Sequence, residues 1–237
     1  MLRKYVAFDI ETAKILPAVV SELKAHRPLG IACAATFCST ADSPQLWYGV
    51  TDDDKPAPRM NRLEAAELVH LLSKLVDDGF TILTWNGLGF DFDILAEESA
   101  MTDDCKRLAR GHVDMMFQAF CELGFPIGLD RAAKAMGLQG KSQGIEPHMA
   151  PQLWADGRTK EVLDYVAQDV RATLELARAC ETQRSLRWLT KNGGLRDIKL
   201  PRGWLTVDGA RRLPEADTSW MDDPMPRSRF TDWLATH

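Results

Sequence analysis

Two carboxylates interrupt an apolar run near the N-terminus, and this feature constrains the fold more than any other. Tyr5 to Ile10 is aromatic or aliphatic apart from Asp9, which is typical of a buried β-strand. Asp9 and Glu11 are two positions apart, so a strand points both side chains to the same face. A solvent-facing edge strand is the alternative, but the apolar neighbours argue against it. Because unpaired buried charge is costly, we predict a functional role for the pair.

The remaining hydrophobic pattern predicts an α/β fold, with a mixed β-sheet flanked by α-helices. Predicted strands are residues 5–10, 29–37, 45–50 and 81–85, and predicted helices are residues 61–76, 90–98, 114–123, 130–136 and 159–184. Residues 137–151 are rich in Gly, Gln and Pro, which favours an irregular loop at the rim of a site.

Composition excludes several classes of protein. The chain has 237 residues, 45% of them hydrophobic, which suffices for a full core without disulfides or structural zinc. Its five cysteines include no C-x-x-C pair, which favours a reducing cytoplasm. We expect no signal peptide and no membrane-spanning segment. A net charge of −5 argues against a protein that coats DNA, although bound cations would reverse the sign locally at an acidic site.

A second acidic candidate, Asp91, follows the predicted strand 81–85 and a glycine-rich turn that begins at Asn86. Ligands in α/β folds bind at the carboxyl ends of the sheet strands. Asp is also a favoured helix N-cap, so this stretch alone leaves an ordinary cap as an equal alternative. Asp93, two residues further on, is the competing candidate for the same role.

A third candidate pair lies on the long predicted helix 159–184. Tyr165 and Asp169 are four residues apart, so they share one helix face. A Tyr hydroxyl can orient an attacking water while the neighbouring carboxylate holds a metal ion. A partly buried Tyr beside an ordinary surface Asp is the alternative, and for an isolated pair it is the commoner arrangement.

Taken together, the three stretches supply four carboxylates and one phenol. Carboxylates brought this close repel one another unless cations lie between them, and hard divalent cations such as Mg²⁺ select oxygen ligands. A pair of such ions can hydrolyse phosphodiesters by in-line attack. The sequence therefore favours a nuclease.

Three motifs occur in the order Asp9-x-Glu11, Asn86-x-x-x-Phe90-Asp91 and Tyr165-x-x-x-Asp169. They resemble the motifs of the DnaQ-like (DEDD) 3′–5′ exonuclease superfamily over about residues 5–182. The tyrosine is similar to that of the DEDDy branch, which includes the proofreading domains of family B DNA polymerases and RNase D-type enzymes. In the histidine branch a His precedes the last Asp by five residues, and here that position is Asp164. The segment 112–114 also looks like a secondary feature of the family.

The resemblance implies a ribonuclease H-like fold with two bound Mg²⁺ or Mn²⁺ ions. By that analogy the metal ligands are Asp9, Glu11, Asp91 and Asp169, with Asp9 bridging the two ions. Tyr165 would position the water that attacks the phosphate. The same analogy places Thr12 and Asn86 near the 3′-terminal nucleotide.

The chain is divided, on this reading, into an exonuclease domain at residues 1–184 and a C-terminal extension at residues 185–237. The extension is basic at first and acidic after Leu213. Its basic part, Arg184 to Arg212, contains Trp188 and Trp204. It could guide a nucleic-acid strand by phosphate attraction and base stacking. Alternatively, it is a solvated extension whose tryptophans pack back on the core, an interpretation that basic runs slightly favour.

The leading hypothesis is a metal-dependent 3′–5′ exonuclease that releases nucleoside 5′-monophosphates from single-stranded DNA. A ribonuclease acting on RNA 3′ ends is the first alternative, because no device that senses a 2′-hydroxyl is apparent. A catalytically silent domain that binds nucleic acid or a partner is the second, although all five motif residues are retained. A proofreading role would require a separate protein partner, whose identity is unknown.

Overall fold

A five-stranded mixed sheet forms the centre of the computed structural model, which describes residues 3–17, 23–140 and 146–235. Its strands are β1 (Tyr5–Thr12), β2 (Ile31–Cys38), β3 (Gln45–Tyr48), β4 (Thr81–Thr84) and β5 (Val113–Asp114). Their order across the sheet is β3-β2-β1-β4-β5. β1 runs antiparallel to β2 and parallel to β4, and β4 runs parallel to β5. The mixed sheet predicted from the sequence is confirmed.

Helices cover both faces of this sheet. They are α1 (Arg62–Asp77), α2 (Asp91–Ser99), α3 (Thr102–Gly111), α4 (Met115–Leu123), α5 (Leu129–Ala135), α6 (Ala150–Ala155), α7 (Thr159–Gln183), α8 (Val207–Ala210) and α9 (Ser228–Thr231). Short 3-10 turns occupy Leu23–His26, Pro147–Met149 and Asp232–Leu234. Among the described residues, none of the helices combines the length and apolar character that crossing a bilayer requires.

Alternation along β1 divides the core into two layers. Val6, Phe8 and Ile10 belong to a cluster that includes side chains of α1, α2 and α3. Tyr5 and Ala7 belong to a second cluster, built largely on α7. Since side chains of a strand alternate between faces, the odd positions that follow Ala7 also face α7. This alternation decides where the site lies.

The ends of α1 show how closely local sequence determines a helix. The side chain of Asn61 accepts hydrogen bonds from the backbone N–H groups of Leu63 and Glu64, at 2.9 and 3.0 Å. In return, the backbone N–H of Asn61 donates to the Glu64 carboxylate at 2.6 Å. This reciprocal capping box stabilises the first turn. The helix predicted at residues 61–76 is therefore found within one residue of its expected ends.

Helix α6 corrects the prediction of an irregular loop over residues 137–151. The helix begins inside that range, and Pro151 lies in its first turn. Proline is tolerated there because the backbone N–H groups of the first turn have no partner within the helix. Leu153 and Trp154 are buried in the core cluster built on α7. Packing therefore stabilises a helix that the local sequence pattern does not predict. Residues 141–145 of the predicted loop lie outside the described residues.

The chain after α7 packs against both layers of the same core. A hairpin of β6 (Ser185–Leu189) and β7 (Leu195–Lys199) was not predicted, and it places Trp188 in the α7 cluster together with Trp204. Further along, Phe230 and Trp233 join the opposite cluster. Trp188 and Trp204 are only 6% and 1% exposed, so they do not offer faces for base stacking. The domain boundary at residue 184 remains a prediction.

Candidate active site

Asp9 and Glu11 lie on β1 beyond the point at which its pairing with β4 ends. The register of these two parallel strands stops at Ala7 opposite Leu83. On its other side β1 stays paired with β2, which places Glu11 opposite Cys33. Asp9 is half-buried and Glu11 is buried. Both carboxylates therefore project from a firmly held strand toward α7.

Helix α7 brings a third carboxylate to the same place. Asp169 is buried, and ligand oxygens of Asp9, Glu11 and Asp169 all lie within 4.8 Å of one another. Tyr165 lies one turn earlier on the same helix and is also buried. Small residues on β2, such as Cys33 and Ala35, let α7 approach the sheet closely.

Three carboxylates at this separation suit a hard divalent cation. Each contributes an oxygen, the ligand atom that Mg²⁺ and Mn²⁺ prefer. Like charges held together in a partly buried place repel strongly, and a cation between them removes that repulsion. The cluster of Asp9, Glu11 and Asp169 therefore fits a metal site.

Asp91, the first residue of α2, also contacts β1. Its carboxylate accepts a hydrogen bond from the backbone N–H of Ile10 at 2.9 Å. The contact places Asp91 against the backbone between Asp9 and Glu11, beyond the last pair of β4 with β1. The structure thus brings the side chain of the second motif against the backbone of the first, while the carboxylates found within 4.8 Å of one another are those of Asp9, Glu11 and Asp169.

Asp93, the competing candidate, makes a different set of contacts. Its carboxylate accepts a hydrogen bond from Arg27 at 3.0 Å and forms an ion pair with the same guanidinium. Arg27 also lies 3.6 Å from Glu97. Asp93 therefore holds the segment before β2 against α2, while Asp91 contacts the backbone of β1.

A tight turn at residues 86–88 carries the chain from β4 to Asp91. Asn86 adopts a left-handed backbone conformation with φ 75°. Gly87 approaches Thr84 so closely that a Cβ there would lie 2.6 Å from the threonine side chain. Only glycine fits that position. Asn86 lines a cleft described below, and Thr12 ends β1 in a half-buried position.

Asp114 holds this turn in place. Its buried carboxylate accepts hydrogen bonds from the backbone N–H groups of Asn86 at 3.0 Å and Leu88 at 2.9 Å. It also caps α4 by accepting from the N–H of Phe117 at 2.9 Å. Sequence reasoning noted residues 112–114 but assigned them no role. The bonds join positions 26 and 28 residues apart, so no local pattern predicts them.

His112 completes the buried polar network behind the turn. Its Nε2 lies 3.0 Å from the Thr84 hydroxyl, and its Nδ1 lies 2.6 Å from the carbonyl oxygen of Ala109. Burial lowers the pKa of His112 from 6.5 to about 4. Burial also raises the pKa of Asp114 from 3.8 to about 6, against the opposing effect of its backbone hydrogen bonds.

These shifts predict a pH-dependent effect of His112→Gln on the free energy of unfolding. The folded-state pKa of His112 lies below its unfolded value, so its stabilising effect is complete above pH 6.5 and is lost as the pH falls toward 4. Asp114 acts in the opposite sense, gaining stability as the pH falls through about 6. We expect the variant to be less stable at pH 7, and the gap to shrink by about 2 kcal/mol by pH 5.

Urea unfolding at pH 7, 6 and 5 measures this difference. His70→Gln, at an exposed position of α1, is the matched control. A gap for His112→Gln that stays constant with pH would contradict the expectation.

A cleft of about 910 Å³ opens beside the turn that carries Asp91. Trp85, Asn86 and Phe90 form one side, and the loop of residues 126–130 contributes to the wall. The C-terminal segment of residues 225–232 also lines it. Because Phe90 directly precedes Asp91, this wall of the cleft leads into the residue whose carboxylate contacts β1.

Comparison with known proteins identifies the class. The family model described as RNase_H superfamily matches residues 48–180, more than half of the chain. The chain belongs to the RNase H superfamily. The match contains Asp91, Tyr165 and Asp169, while Asp9 and Glu11 on β1 lie before it. No curated protein matches the chain in sequence.

One of the similar solved structures shows the same fold. The family B DNA polymerase of the archaeon Pyrobaculum calidifontis shares 22% identity over 76% of this chain, with a TM-score of 0.54. The chain corresponds to 25% of that polymerase. A product-bound exonuclease I shares 13% identity over 99% of this chain and 71% of its own, with a TM-score of 0.44. The family model and this fold confirm the ribonuclease H-like fold that the sequence predicts.

Proposed function

We propose that the protein is a metal-dependent 3′–5′ exonuclease that acts on single-stranded DNA and releases nucleoside 5′-monophosphates. One observation carries the proposal. In a chain of the RNase H superfamily, oxygens of Asp9, Glu11 and Asp169 meet within 4.8 Å. Asp91 is held against the same strand by the N–H of Ile10. Charge is costly to bury unless it is paired or coordinates a metal, and carboxylate oxygens suit a hard divalent cation.

Four carboxylates would hold two Mg²⁺ or Mn²⁺ ions: Asp9, Glu11, Asp91 and Asp169. When bound, such cations lower the pKa of the attacking water and stabilise the charge that develops on the phosphate and the leaving oxygen. The chain contributes fixed positions for these ligands. Asp9 and Glu11 are fixed by the sheet, Asp169 by α7, and Asp91 by its hydrogen bond to β1.

Tyr165 would orient the water for in-line attack. Its place one turn before Asp169 on a long, packed helix supports this role, because the helix fixes the phenol relative to the carboxylate. A hydroxyl that both accepts and donates hydrogen bonds can hold a water in one orientation without taking its proton. Precise positioning of this kind accelerates hydrolysis.

Attack at the 3′ end would follow from the shape of the site. We place the 3′-terminal nucleotide near Thr12 and Asn86, at the end of β1 and beside the cleft. A site entered by a strand end, without readout of base edges, suits a single-stranded substrate of any sequence. The five free cysteines suit a reducing compartment, and we propose the cytoplasm.

Digestion of matched 5′-labelled single-stranded DNA and RNA tests the proposal. Each strand is incubated with Mg²⁺, Mn²⁺ or EDTA, and the products are resolved by length. We expect a metal-dependent ladder that shortens from the 3′ end, with DNA consumed faster. Faster loss of RNA would instead make the protein an exoribonuclease. Binding of both strands without cleavage in either metal would replace the enzyme with a silent binding domain.

Tyr165→Phe is expected to lower the hydrolysis rate by about 10²-fold, because the water loses its orienting hydroxyl. Affinity for the strand should change much less, since the aromatic ring remains. Rates come from single-turnover digestion, and affinity from fluorescence anisotropy in EDTA. Tyr48→Phe, which removes a phenol hydroxyl on β3, is the matched control. Equal rates for the two variants would exclude Tyr165 from the reaction.

A further inference from the structure

The C-terminal segment, residues 225–234, folds back onto the turn that carries Asp91. The indole N–H of Trp233 donates to the carbonyl oxygen of Leu88 at 2.7 Å, and this contact is buried. The Phe230 ring lies 4.7 Å from the Phe120 ring, centroid to centroid. A Cβ at Gly89 would lie 2.8 Å from a ring carbon of Phe230, so the segment approaches this close only because residue 89 is glycine.

This position makes the segment a wall of the cleft of about 910 Å³. The segment contributes Met225, Pro226, Ser228, Arg229, Phe230 and Asp232 to the lining. Trp85 and Phe90 lie in the lining as well, and both are half-buried. The family match ends at residue 180, so this wall lies outside the matched region.

Two arginines line the cleft, Arg27 and Arg229, and they differ in whether their guanidinium groups are already paired. Arg27 is engaged by Asp93 and lies near Glu97. Arg229 is exposed, and across residues 3–17, 23–140 and 146–235 its guanidinium forms no ion pair. Among the acidic lining residues, Asp130 is paired with Lys134 at 2.6 Å, and Asp232 lies on the wall itself. Arg229 is therefore the cation that can meet a ligand.

We propose that the C-terminal segment forms the outer wall of the substrate channel, with Arg229 bound to a phosphate of the single strand behind its 3′-terminal nucleotide. The inference rests on the proposed exonuclease function and names the part of the substrate that this wall holds. An apolar, aromatic lining with one free guanidinium matches a strand of stacked bases and spaced phosphates. The turn at residues 85–91 links the two places, because Phe90 lines the cleft and the next residue, Asp91, contacts β1 between Asp9 and Glu11.

Salt-dependent binding tests the assignment of Arg229. Anisotropy of a 5′-labelled ten-nucleotide oligothymidylate is measured in EDTA at several KCl concentrations, with Arg229→Ala, Arg229→Lys and the unaltered protein. Losing one phosphate contact should weaken binding about tenfold at low salt. It should also reduce the slope of log K against log salt by about 0.7. Arg229→Lys should keep the slope, because the charge remains.

Arg62→Ala is the matched control, since Arg62 is exposed on α1 and does not line the cleft. Its affinity and slope should equal those of the unaltered protein. A slope for Arg229→Ala that equals the control slope would overturn the proposal. Failure of the exonuclease proposal is read separately, from the absence of a 3′ ladder with the unaltered protein.

Discussion

Asp9→Asn is expected to reduce hydrolysis at the 3′ end by about 10³-fold or more. Asp9 contributes an oxygen to the cluster with Glu11 and Asp169, and an amide there binds divalent cations far more weakly than a carboxylate does. A loss of 10³-fold corresponds to about 4 kcal/mol of transition-state stabilisation, which is within the range that metal ions supply. Single-turnover digestion of labelled DNA in Mg²⁺ measures the effect.

The same variant should keep its fold in the absence of metal. Removing one of several neighbouring charges relieves repulsion, so the Tm in EDTA should be unchanged or higher. The unaltered protein should gain stability from Mn²⁺ by mass action, about 2.7 kcal/mol at a hundredfold excess over Kd. Asp9→Asn should lose most of that gain.

Asp164→Asn is the matched control for this experiment. Asp164 is an exposed carboxylate on α7 that pairs with Lys160 at 2.5 Å. Its loss should change neither the rate nor the Mn²⁺-dependent shift in Tm. A fully active Asp9→Asn protein would remove Asp9 from the reaction, and a Tm that fell in EDTA would assign it a structural role instead.

Asp91→Asn is expected to lose hydrolysis but keep its stability, whereas Asp93→Asn is expected to lose stability. An amide at position 91 can still accept the hydrogen bond from Ile10, so the fold should survive. The missing charge should lower hydrolysis by about 10²–10³-fold. Asp93→Asn should instead lower the free energy of unfolding by about 1–3 kcal/mol, because Arg27 loses its ion pair in a largely buried place.

Rates per folded molecule and urea unfolding curves separate the two effects. Each variant is the control for the other, since both remove one carboxylate from the first turn of α2. An inactive but stable Asp93→Asn protein, beside an active Asp91→Asn protein, would exchange the two assignments and show that the second motif is centred on Asp93.

Much of the site could be predicted because it depends on local periodicity. The two-residue repeat of a strand puts Asp9 and Glu11 on one face, and the helix repeat puts Tyr165 beside Asp169. These rules hold wherever the strand and helix form. The choice between Asp91 and Asp93 was harder, because it depends on a hydrogen bond across 81 positions to Ile10.

The residues that support the site could not be predicted, because their contacts join positions far apart in the sequence. Asp114 looks like an ordinary helix cap in the sequence, yet it also holds the turn at residues 86–88. Trp233 reaches Leu88 across 145 positions, and no local pattern encodes that contact. The β6–β7 hairpin was likewise not predicted, because both strands are only five residues long and three of the five residues of β7 are charged.

The two faces of β1 carry different kinds of residue, and this affects which substitutions the fold can tolerate during evolution. Val6, Phe8 and Ile10 seal one layer of the core, while Asp9 and Glu11 project from the other face. A substitution at Asp9 leaves the sealed side untouched. On the proposed function, a descendant that loses Asp9 would therefore lose hydrolysis in a single mutational step and still inherit the fold and the cleft.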